Sequence, residues 1–125
     1  MTELRVLLDL GYGELNRQKL DLFVPERAGA LAVLIPGGWW AHGSHRDLRG
    51  AALHVASLGH AAAGIGTRLL GDGAQAARFG RDLIADAKAA TLRALDEAAL
   101  LGLESRALVL IGSGSGSLVA TLVAA

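Results

Sequence analysis

The segment Ala107–Ala120, which reads ALVLIGSGSGSLVA, decides the fold class of the chain. It begins with an apolar run, continues with three glycines that alternate with three serines, and ends with apolar residues. A buried strand, a tight turn and the start of a helix have this sequence pattern. We therefore predict a strand over Arg106–Ile111 and a helix over Ser117–Ala125, joined by a glycine-rich turn.

The glycines of this turn fit the outer positions of the catalytic pattern G-x-S-x-G. In that pattern a nucleophilic serine lies on a sharp turn, and small residues two positions away on either side let the strand and the helix approach closely. Gly112 and Gly116 occupy the outer positions, whereas Gly114 stands where the serine belongs. A glycine can adopt the turn but has no oxygen with which to attack.

Ser115 is the alternative candidate for a catalytic nucleophile. Its neighbours two positions away, Ser113 and Ser117, are small enough for an elbow shifted by one residue. Ser113 fits less well as a nucleophile, because Ile111 would then occupy a position that needs a small residue. We favour the simpler interpretation that the serines line a polar turn, or that Ser117 caps the following helix.

Outward from this turn, the chain alternates strands with helices. The predicted strands are 4–10, 20–24, 30–35 and 60–66, and the predicted helices are 47–58 and 79–101. The first two strands alternate apolar with polar residues, and the third is continuously apolar. Two antiparallel strands followed by βαβαβα predict one α/β domain over 1–125, with a mixed, mainly parallel sheet flanked by helices.

Apolar residues at helical spacing predict which faces of the two internal helices are buried. We expect Asp47 to cap the first helix and Gly59 to end it. Its expected core residues are Leu48, Ala51, Ala52 and Val55. Those of the second helix are Leu83, Ala87, Ala90, Leu92 and Leu95.

Composition excludes several classes of partner. Twelve basic residues balance twelve acidic ones, so no nucleic-acid partner is predicted. The chain has no cysteine, which excludes disulfides and thiolate metal sites. Its longest apolar runs fall short of the roughly 20 residues that cross a membrane, and its start lacks the features of a signal peptide. We expect a cytoplasmic protein with no membrane partner.

A second glycine-rich segment, Pro36–Trp40, follows the third strand and leads into Gly43–Asp47. It resembles the H-G-G-G-W segment of the α/β-hydrolase-fold esterases, lipases and arylformamidases. The resemblance continues in order along nearly the whole chain. Its further parts are Gln18–Pro25 as the second strand, Arg68-Leu69 as the end of Y-R-L, Asp86–Ala90 in the helix before the elbow, and Ile111–Ala120 as the elbow itself.

This resemblance implies a serine-type carboxylic-ester hydrolase, such as a carboxylesterase or an arylformamidase, that acts through an acyl-enzyme without a metal or organic cofactor. Its tetrahedral intermediate carries a negative oxygen, which backbone N–H groups from two turns would bind. By resemblance, the oxyanion hole is formed by Gly37, Gly38, Trp39 and Ser115, with Gly37 shaping the turn. The partner would be a small-molecule ester or amide.

Three departures from this family are visible. Pro36 stands in place of the histidine of H-G-G-G-W, and Gly114 stands at the nucleophile position. No Asp, Glu or His follows Gly116, although the family places its acid and its histidine after the serine. We therefore expect weak or absent activity from this chain, whose fold ends just after the elbow as though truncated.

The last two elements are strongly hydrophobic. A helix that is apolar on every side needs cover all round, and an apolar strand at a sheet edge promotes association. We therefore expect the exposed final strand to promote either a homodimer or poor solubility.

The histidines and tryptophans allow weaker predictions. We expect His42 and His45 to lie in surface loops, and His54 and His60 to be structural. No pair of histidines has the spacing of H-E-x-x-H, so no metal site is predicted. The two tryptophans of Pro36–Trp40 either wall an acyl pocket or plug the end of the sheet.

Two other functions remain open. A catalytically inactive α/β-hydrolase-like module for binding or interaction would explain why Gly114 replaces serine. A nucleotide-binding domain is the other alternative, because Gly112-x-Gly114-x-x-Ser117 comes within one residue of G-x-G-x-x-G/A. That fingerprint belongs to the first strand–helix unit of a domain, with an acidic residue about 20 positions later, whereas this turn is at the chain's end.

Overall fold

The computed structural model describes residues 3–37, 43–69 and 79–124, and within them five strands form one sheet. The strands are β1 (Leu4–Gly11), β2 (Lys19–Pro25), β3 (Leu31–Ile35), β4 (Ala61–Ile65) and β5 (Leu108–Gly112). A short 3-10 helix (His45–Leu48) precedes α1 (Arg49–Ser57), and the other helices are α2 (Phe79–Leu100) and α3 (Gly116–Ala124).

The order of strands across the sheet is β1-β2-β4-β3-β5. The pairs β1–β2 and β2–β4 are antiparallel, and β3 lies parallel to both β4 and β5. Every strand except β2 therefore runs in the same direction. Helix α1 connects β3 to β4, and α2 connects β4 to β5, as the two crossovers of a parallel arrangement require. The predicted mixed, mainly parallel α/β sheet is confirmed.

Helices cover both faces of the sheet. On one face, α2 and α3 pack on the buried even residues of β2 and on β3 and β4. On the other face, Ala52 and Ala56 of α1 contact a smaller cluster that includes Phe23 and Leu34. Successive residues of a strand point to opposite faces, so the continuously apolar β3 serves both clusters. Alanines in α1 and α2 let these helices lie close to the sheet.

The start of the first internal helix differs from the prediction. Ser44 caps the 3-10 helix, because its Oγ accepts a hydrogen bond from the Arg46 N–H at 3.2 Å. Asp47 lies three residues inside, where its Oδ2 accepts from the Ser44 N–H at 2.9 Å. Together they form a capping box, so the acid predicted as the cap is the reciprocal partner of the cap.

The buried faces of α1 and α2 were predicted only in part. In α2, Leu83, Ala87 and Ala90 are buried as expected, but Leu92 is 63% exposed. The buried row continues through Ala94 and Ala98, which keep the spacing of three and four residues. In α1, Ala51 is exposed and Ala56 is buried in its place.

Strand β1 forms one edge of the sheet and contains an irregularity. Its register against β2 shifts between Leu7 and Leu10, and Asp9 in this bulge has a φ of 55°. Bulges of this kind disrupt the row of backbone groups that an edge strand offers to other strands. Across the described ranges, every helix is too short or too polar to span a lipid bilayer.

Candidate active site

The two glycine-rich segments meet at one edge of the sheet. Strands β3 and β5 are parallel neighbours with Ile35 opposite Gly112, so the segments that follow them leave the sheet side by side. The Ser113 N–H donates to the Ile35 carbonyl at 3.4 Å, and a Cβ added at Gly37 would lie 2.6 Å from the Ser113 carbonyl oxygen. Ligands of open α/β sheets bind outside this carboxyl edge.

The outer glycines of the elbow are required by backbone contacts. A Cβ added at Gly112 would collide with the Gly116 carbonyl group, which lies in the first turn of α3. A Cβ added at Gly116 would lie 2.5 Å from the carbonyl oxygen of Ile35 and 2.7 Å from that of Pro36. These two positions therefore bring β5, α3 and the end of β3 into direct backbone contact, which only glycine permits.

Gly114, between them, has a different environment. Its φ is +56°, in the left-handed region, and among the residues that the structure describes, apart from its two chain neighbours, no atom lies within 4 Å of the place where its Cβ would be. Left-handed backbone is the strained conformation that residues with side chains rarely adopt except at functional turns. The central position of the turn thus combines a strained backbone with open space for a side chain.

The three serines of the turn differ in their surroundings. Ser113 is exposed and Ser115 is half-buried. Ser117 lies inside the first turn of α3, and its hydroxyl donates to the Gly114 carbonyl at 2.7 Å. The prediction that Ser117 caps the helix is therefore wrong, because the helix begins one residue earlier, at Gly116.

Several predicted site residues lie outside the described ranges. These are the oxyanion donors Gly38 and Trp39, together with Trp40 and His42. Gly37 is the last described residue of that segment, and Ser115 is described in the facing turn. The roles of the oxyanion residues and of Ser115 stay predictions.

A polar network beneath the same edge includes a histidine that we expected at the surface. His45 is only 5% exposed, and its Nε2 lies 2.6 Å from Asp9 Oδ1. Asp21, which is fully buried, accepts from the Arg49 Nε at 2.6 Å and from the Asp9 N–H at 2.9 Å. Arg46 also donates to Asp9, at 3.4 Å. The loop assignment of His45 is wrong because this network buries its ring.

Within this network, the pKa values of Asp9 and Arg49 are shifted. The hydrogen bond from His45 lowers the pKa of Asp9 below its ordinary value of 3.8, and Arg46 and Arg49 lower it further, against an opposing effect of burial. The pKa of Arg49 is raised above its ordinary value, chiefly by its hydrogen bond to Asp21. Both shifts favour the charged forms.

Asp9, Asp21 and His45 also have the geometry of a metal site. One ligand atom from each lies within 4.8 Å of the other two. However, Arg49 donates to both carboxylates, at 3.2 Å to Asp9 and 2.6 Å to Asp21. A cation bound there would have to displace this guanidinium group, so we interpret the cluster as an ion-pair network.

A second network ties α2 to the carboxyl edge. Asp86 is 2% exposed and accepts from the backbone and the guanidinium group of Arg68, at 2.8 and 2.9 Å, and from Gln18 at 3.0 Å. The bond to Asp86 raises the pKa of Arg68. Tyr12 donates to the Gly66 carbonyl at 2.5 Å, and burial raises the pKa of its phenol well above the ordinary value of 10.0.

Sequence reasoning missed the roles of Asp9, Asp21 and Arg49. One signal was available, since Asp21 stands between two leucines in a strand that is otherwise buried. A charged residue in such a strand requires a buried partner. The partner itself cannot be identified from the pattern, because Arg49 lies 28 residues away along the chain.

Comparison with known proteins gives structural relatives only. No protein-family model and no curated protein matches the chain. Among solved structures, esterase B from Lactobacillus rhamnosis is 28% identical with a TM-score of 0.79, and the match covers 97% of this chain and 39% of that one. The same enzyme inhibited by a tributyrin phosphonate gives the same identity and TM-score. A bacterial heroin esterase, 22% identical with a TM-score of 0.69 over 95% of this chain and 37% of that one, shows the shared fold alone.

The chain thus spans about 40% of the length of esterase B. Its five-stranded mixed sheet, flanked by helices, superposes on that part of the enzyme. The chain therefore has a partial α/β-hydrolase fold, and its solved neighbours support a hydrolase lineage of the esterase kind.

Proposed function

We propose that this chain supplies the oxyanion turn and the nucleophile turn of a serine-type carboxylic-ester hydrolase, which acts on a small ester or a related amide through an acyl-enzyme. The observation that carries the proposal is the contact between the Gly37 segment and the Ser113 carbonyl at the carboxyl edge. Two turns in contact there can direct backbone N–H groups at one point. The esterase neighbours support the same reaction class.

The chemistry explains why two such turns belong together. When a nucleophile attacks an ester carbonyl, the carbonyl oxygen becomes negative, and preorganised N–H donors stabilise that charge. We propose the amides of Gly38, Trp39 and Ser115 as these donors, with Gly37 shaping the turn. Removal of one such donor costs about 10²–10³ in rate in a serine protease.

The nucleophile position in this proposal is residue 114. A strained, left-handed backbone with space for a side chain suits a nucleophile elbow, and Gly114 has both properties as far as the described residues are concerned. Since glycine has no hydroxyl group, we expect the chain to retain only the rate enhancement that the oxyanion turn and substrate binding supply, about 10³ over water. Ser115 remains the alternative catalytic residue.

Hydrolysis of p-nitrophenyl acetate by the purified chain and by Gly37→Ala tests the oxyanion turn. The added methyl group cannot fit beside the Ser113 carbonyl, so we expect most of the rate enhancement to be lost. Gly50→Ala is the matched control, because a Cβ added at that position in α1 meets no atom within 4 Å in the described part of the chain outside the local helix backbone. Equal rates for the two variants would contradict the proposal.

Ser115→Ala decides between the two possible nucleophiles. If residue 114 is the nucleophile position, this variant hydrolyses the ester as fast as the unmodified chain. Activity at an ordinary enzymatic rate that Ser115→Ala abolishes would assign the role to Ser115 instead.

A non-catalytic binding module is the second candidate, and it is favoured by the glycine at position 114. In that case the chain would bind an acyl ligand at the same turns, and its rate of ester hydrolysis would equal that of water.

Calorimetric titration with NAD and ATP tests the nucleotide-binding alternative in the same preparation.

A further inference from the structure

The segment 38–42, which contains the proposed oxyanion donors, is flanked by two residues that are in contact with each other. A Cβ added at Gly43 would lie 3.0 Å from the Gly37 carbonyl oxygen, and one added at Gly37 would lie 2.6 Å from the Ser113 carbonyl oxygen. The residue after the segment therefore packs against the residue before it, which packs against the nucleophile turn. Any side chain that holds Gly43 in place also sets where the segment ends relative to that turn.

Gly43 is held by Arg17, which lies in the turn between β1 and β2. Arg17 Nη1 donates to the Gly43 carbonyl at 3.1 Å. The φ of Gly43 is +106°, a value that residues with side chains rarely adopt. The Arg17 backbone lies close to the end of β4, since a Cβ added at Gly66 would lie 2.8 Å from the Arg17 carbonyl oxygen. Arg17 therefore connects Gly43 to the sheet.

His45, two residues after Gly43, is fixed by close packing on the end of β4. A Cβ added at Gly64 would lie 3.3 Å from the His45 carbonyl oxygen, and one added at Gly66 would lie 3.3 Å from the His45 Nδ1. Side chains at these two positions would crowd His45, whose ring is buried. The two glycines therefore let the histidine lie directly on the sheet.

A hydrogen bond to Asp9 also orients the ring of His45. The His45 Nε2 lies 2.6 Å from Asp9 Oδ1, and this nitrogen is the donor, because an ionised carboxylate only accepts hydrogen bonds. Asp9 lies in the bulge of β1 with a φ of 55°, and its own N–H donates to Asp21 Oδ1 at 2.9 Å. Strained backbone of this kind persists where the surrounding structure holds it, and it is concentrated at functional sites. The bulge thus fixes the acceptor that orients His45.

We propose that His45 is a positioning residue for the oxyanion turn, an inference that rests on the proposed ester hydrolase function. By holding the chain after the segment on the sheet, His45 keeps Gly43 against Gly37 and so sets the place of the donor N–H groups of Gly38 and Trp39. The Nε2 of His45 is bonded to a carboxylate, so we assign it no contact with the substrate. Displacement of a catalytic group by about 1 Å can cost about 10²-fold in rate.

Tryptophan fluorescence tests this positioning without any turnover, because the two tryptophans of the chain, Trp39 and Trp40, both belong to the segment. We expect His45→Ala to shift the tryptophan emission and to increase its quenching by acrylamide, because the segment loses an anchor. His45→Gln should restore both properties, since its amide N–H can replace the Nε2 donor to Asp9. His54→Ala is the matched control, because His54 is exposed on α1.

Val24→Ala shows what a loss of stability alone does to the fluorescence. Val24 is fully buried near the end of β2 that pairs with the start of β1, away from the carboxyl edge. This variant therefore destabilises the fold without touching the segment. Circular dichroism establishes that each variant is folded. If His45→Ala does not fold, Arg17→Ala replaces it, with the same expected change in fluorescence, because it removes the donor to the Gly43 carbonyl.

Hydrolysis of p-nitrophenyl acetate gives the second measurement. We expect His45→Ala to lower kcat about tenfold or more with little change in KM, because oxyanion donors act on the charge that develops during the reaction. Unchanged fluorescence in His45→Ala, or an equal change in Val24→Ala, would overturn the proposal. An unchanged rate for His45→Ala, in a chain whose rate Gly37→Ala lowers, would overturn it as well. The expected fluorescence changes in a chain that does not hydrolyse esters would contradict the proposed function and leave the positioning of the segment supported.

Discussion

At the scale of single residues, the glycines of the elbow are not equivalent. Gly112 and Gly116 are fixed by contact between backbones, whereas Gly114 is fixed by its φ of +56° in open space. Glycine is therefore needed within these five positions for two different reasons, which are close backbone contact and a left-handed backbone conformation. Substitutions at these positions should separate the requirements.

Gly116→Ala should destabilise the fold more than Gly114→Ala. At position 116 the methyl group meets two carbonyl oxygens of the β3 segment that cannot rotate away, and we expect a loss of about 3 kcal/mol. At position 114 only the left-handed backbone is penalised, by about 1 kcal/mol. Urea unfolding followed by circular dichroism measures both values, and a larger loss for Gly114→Ala would contradict this account.

Asp86→Ala should be among the most damaging substitutions outside the apolar core. It leaves the guanidinium group of Arg68, whose side chain is 22% exposed, without its main partner, and such a loss costs about 3–5 kcal/mol. Glu97→Ala is the control, because its partner Arg93 is 43% exposed, and an (i, i+4) pair of this kind on one helix is worth about 0.5 kcal/mol or less. Urea unfolding measures the loss of unfolding free energy in both variants. Similar losses would contradict this account, because they would show that leaving Arg68 without Asp86 costs no more than breaking the Arg93 pair.

The lowered pKa of Asp9 predicts a loss of stability in acid. Well above pH 3.8 its carboxyl group is ionised in the folded and the unfolded chain, and its contribution is fully present. As the pH falls from 3.8 through the lower pKa of the folded state, the unfolded chain binds the proton first, so the unfolding free energy decreases. The stability difference between the unmodified chain and Asp9→Asn should therefore shrink over this range.

At the scale of elements, the sequence predicted each strand and each α-helix of the described ranges, with ends displaced by at most two residues, but it did not predict the 3-10 helix. Alternation and apolar runs gave the strands, since their burial is a property of neighbouring residues. The buried row of α2 was harder to predict from the sequence. Leu92 has the stronger apolar signal, but Ala94 and Ala98 are small enough to lie against the sheet, so packing selected them.

The candidate site could be predicted only where it is local in sequence. The glycines at positions 112 and 116 were identified because the residues that form a turn are consecutive in the sequence. The burial of His45 was not, because its partner Asp9 lies 36 residues earlier, on a different strand. Pairings across a sheet depend on register and bulges, and the bulge that holds Asp9 has no clear pattern in the sequence.

At the scale of the whole molecule, the two edges of the sheet differ. Among the described residues, β5 pairs with β3 on one side only, and its residues Leu108, Val109 and Ile111 are each at least 40% exposed. The opposite edge, β1, is interrupted by the bulge at Asp9. We propose that a second copy of the chain covers β5, because this edge is continuous and uncharged.

Val109→Lys should therefore weaken self-association. Val109 is 49% exposed on β5, and a lysine in each copy would bring like charges together at the shared edge. Val6→Lys is the matched control, because Val6 is 43% exposed on β1 at the far edge. Sedimentation velocity over a range of concentrations measures the effect. A monomer at all concentrations, or an equal response to both lysines, would contradict association through β5.

The open space around Gly114 has an evolutionary consequence. Some glycine codons become serine codons through a single base change, and among the described residues beyond its chain neighbours no atom lies within 4 Å of a Cβ at this position. The turn would therefore accept a serine at position 114 in an ancestral or descendant protein. The exchange of glycine for serine there would require no repacking of the interior.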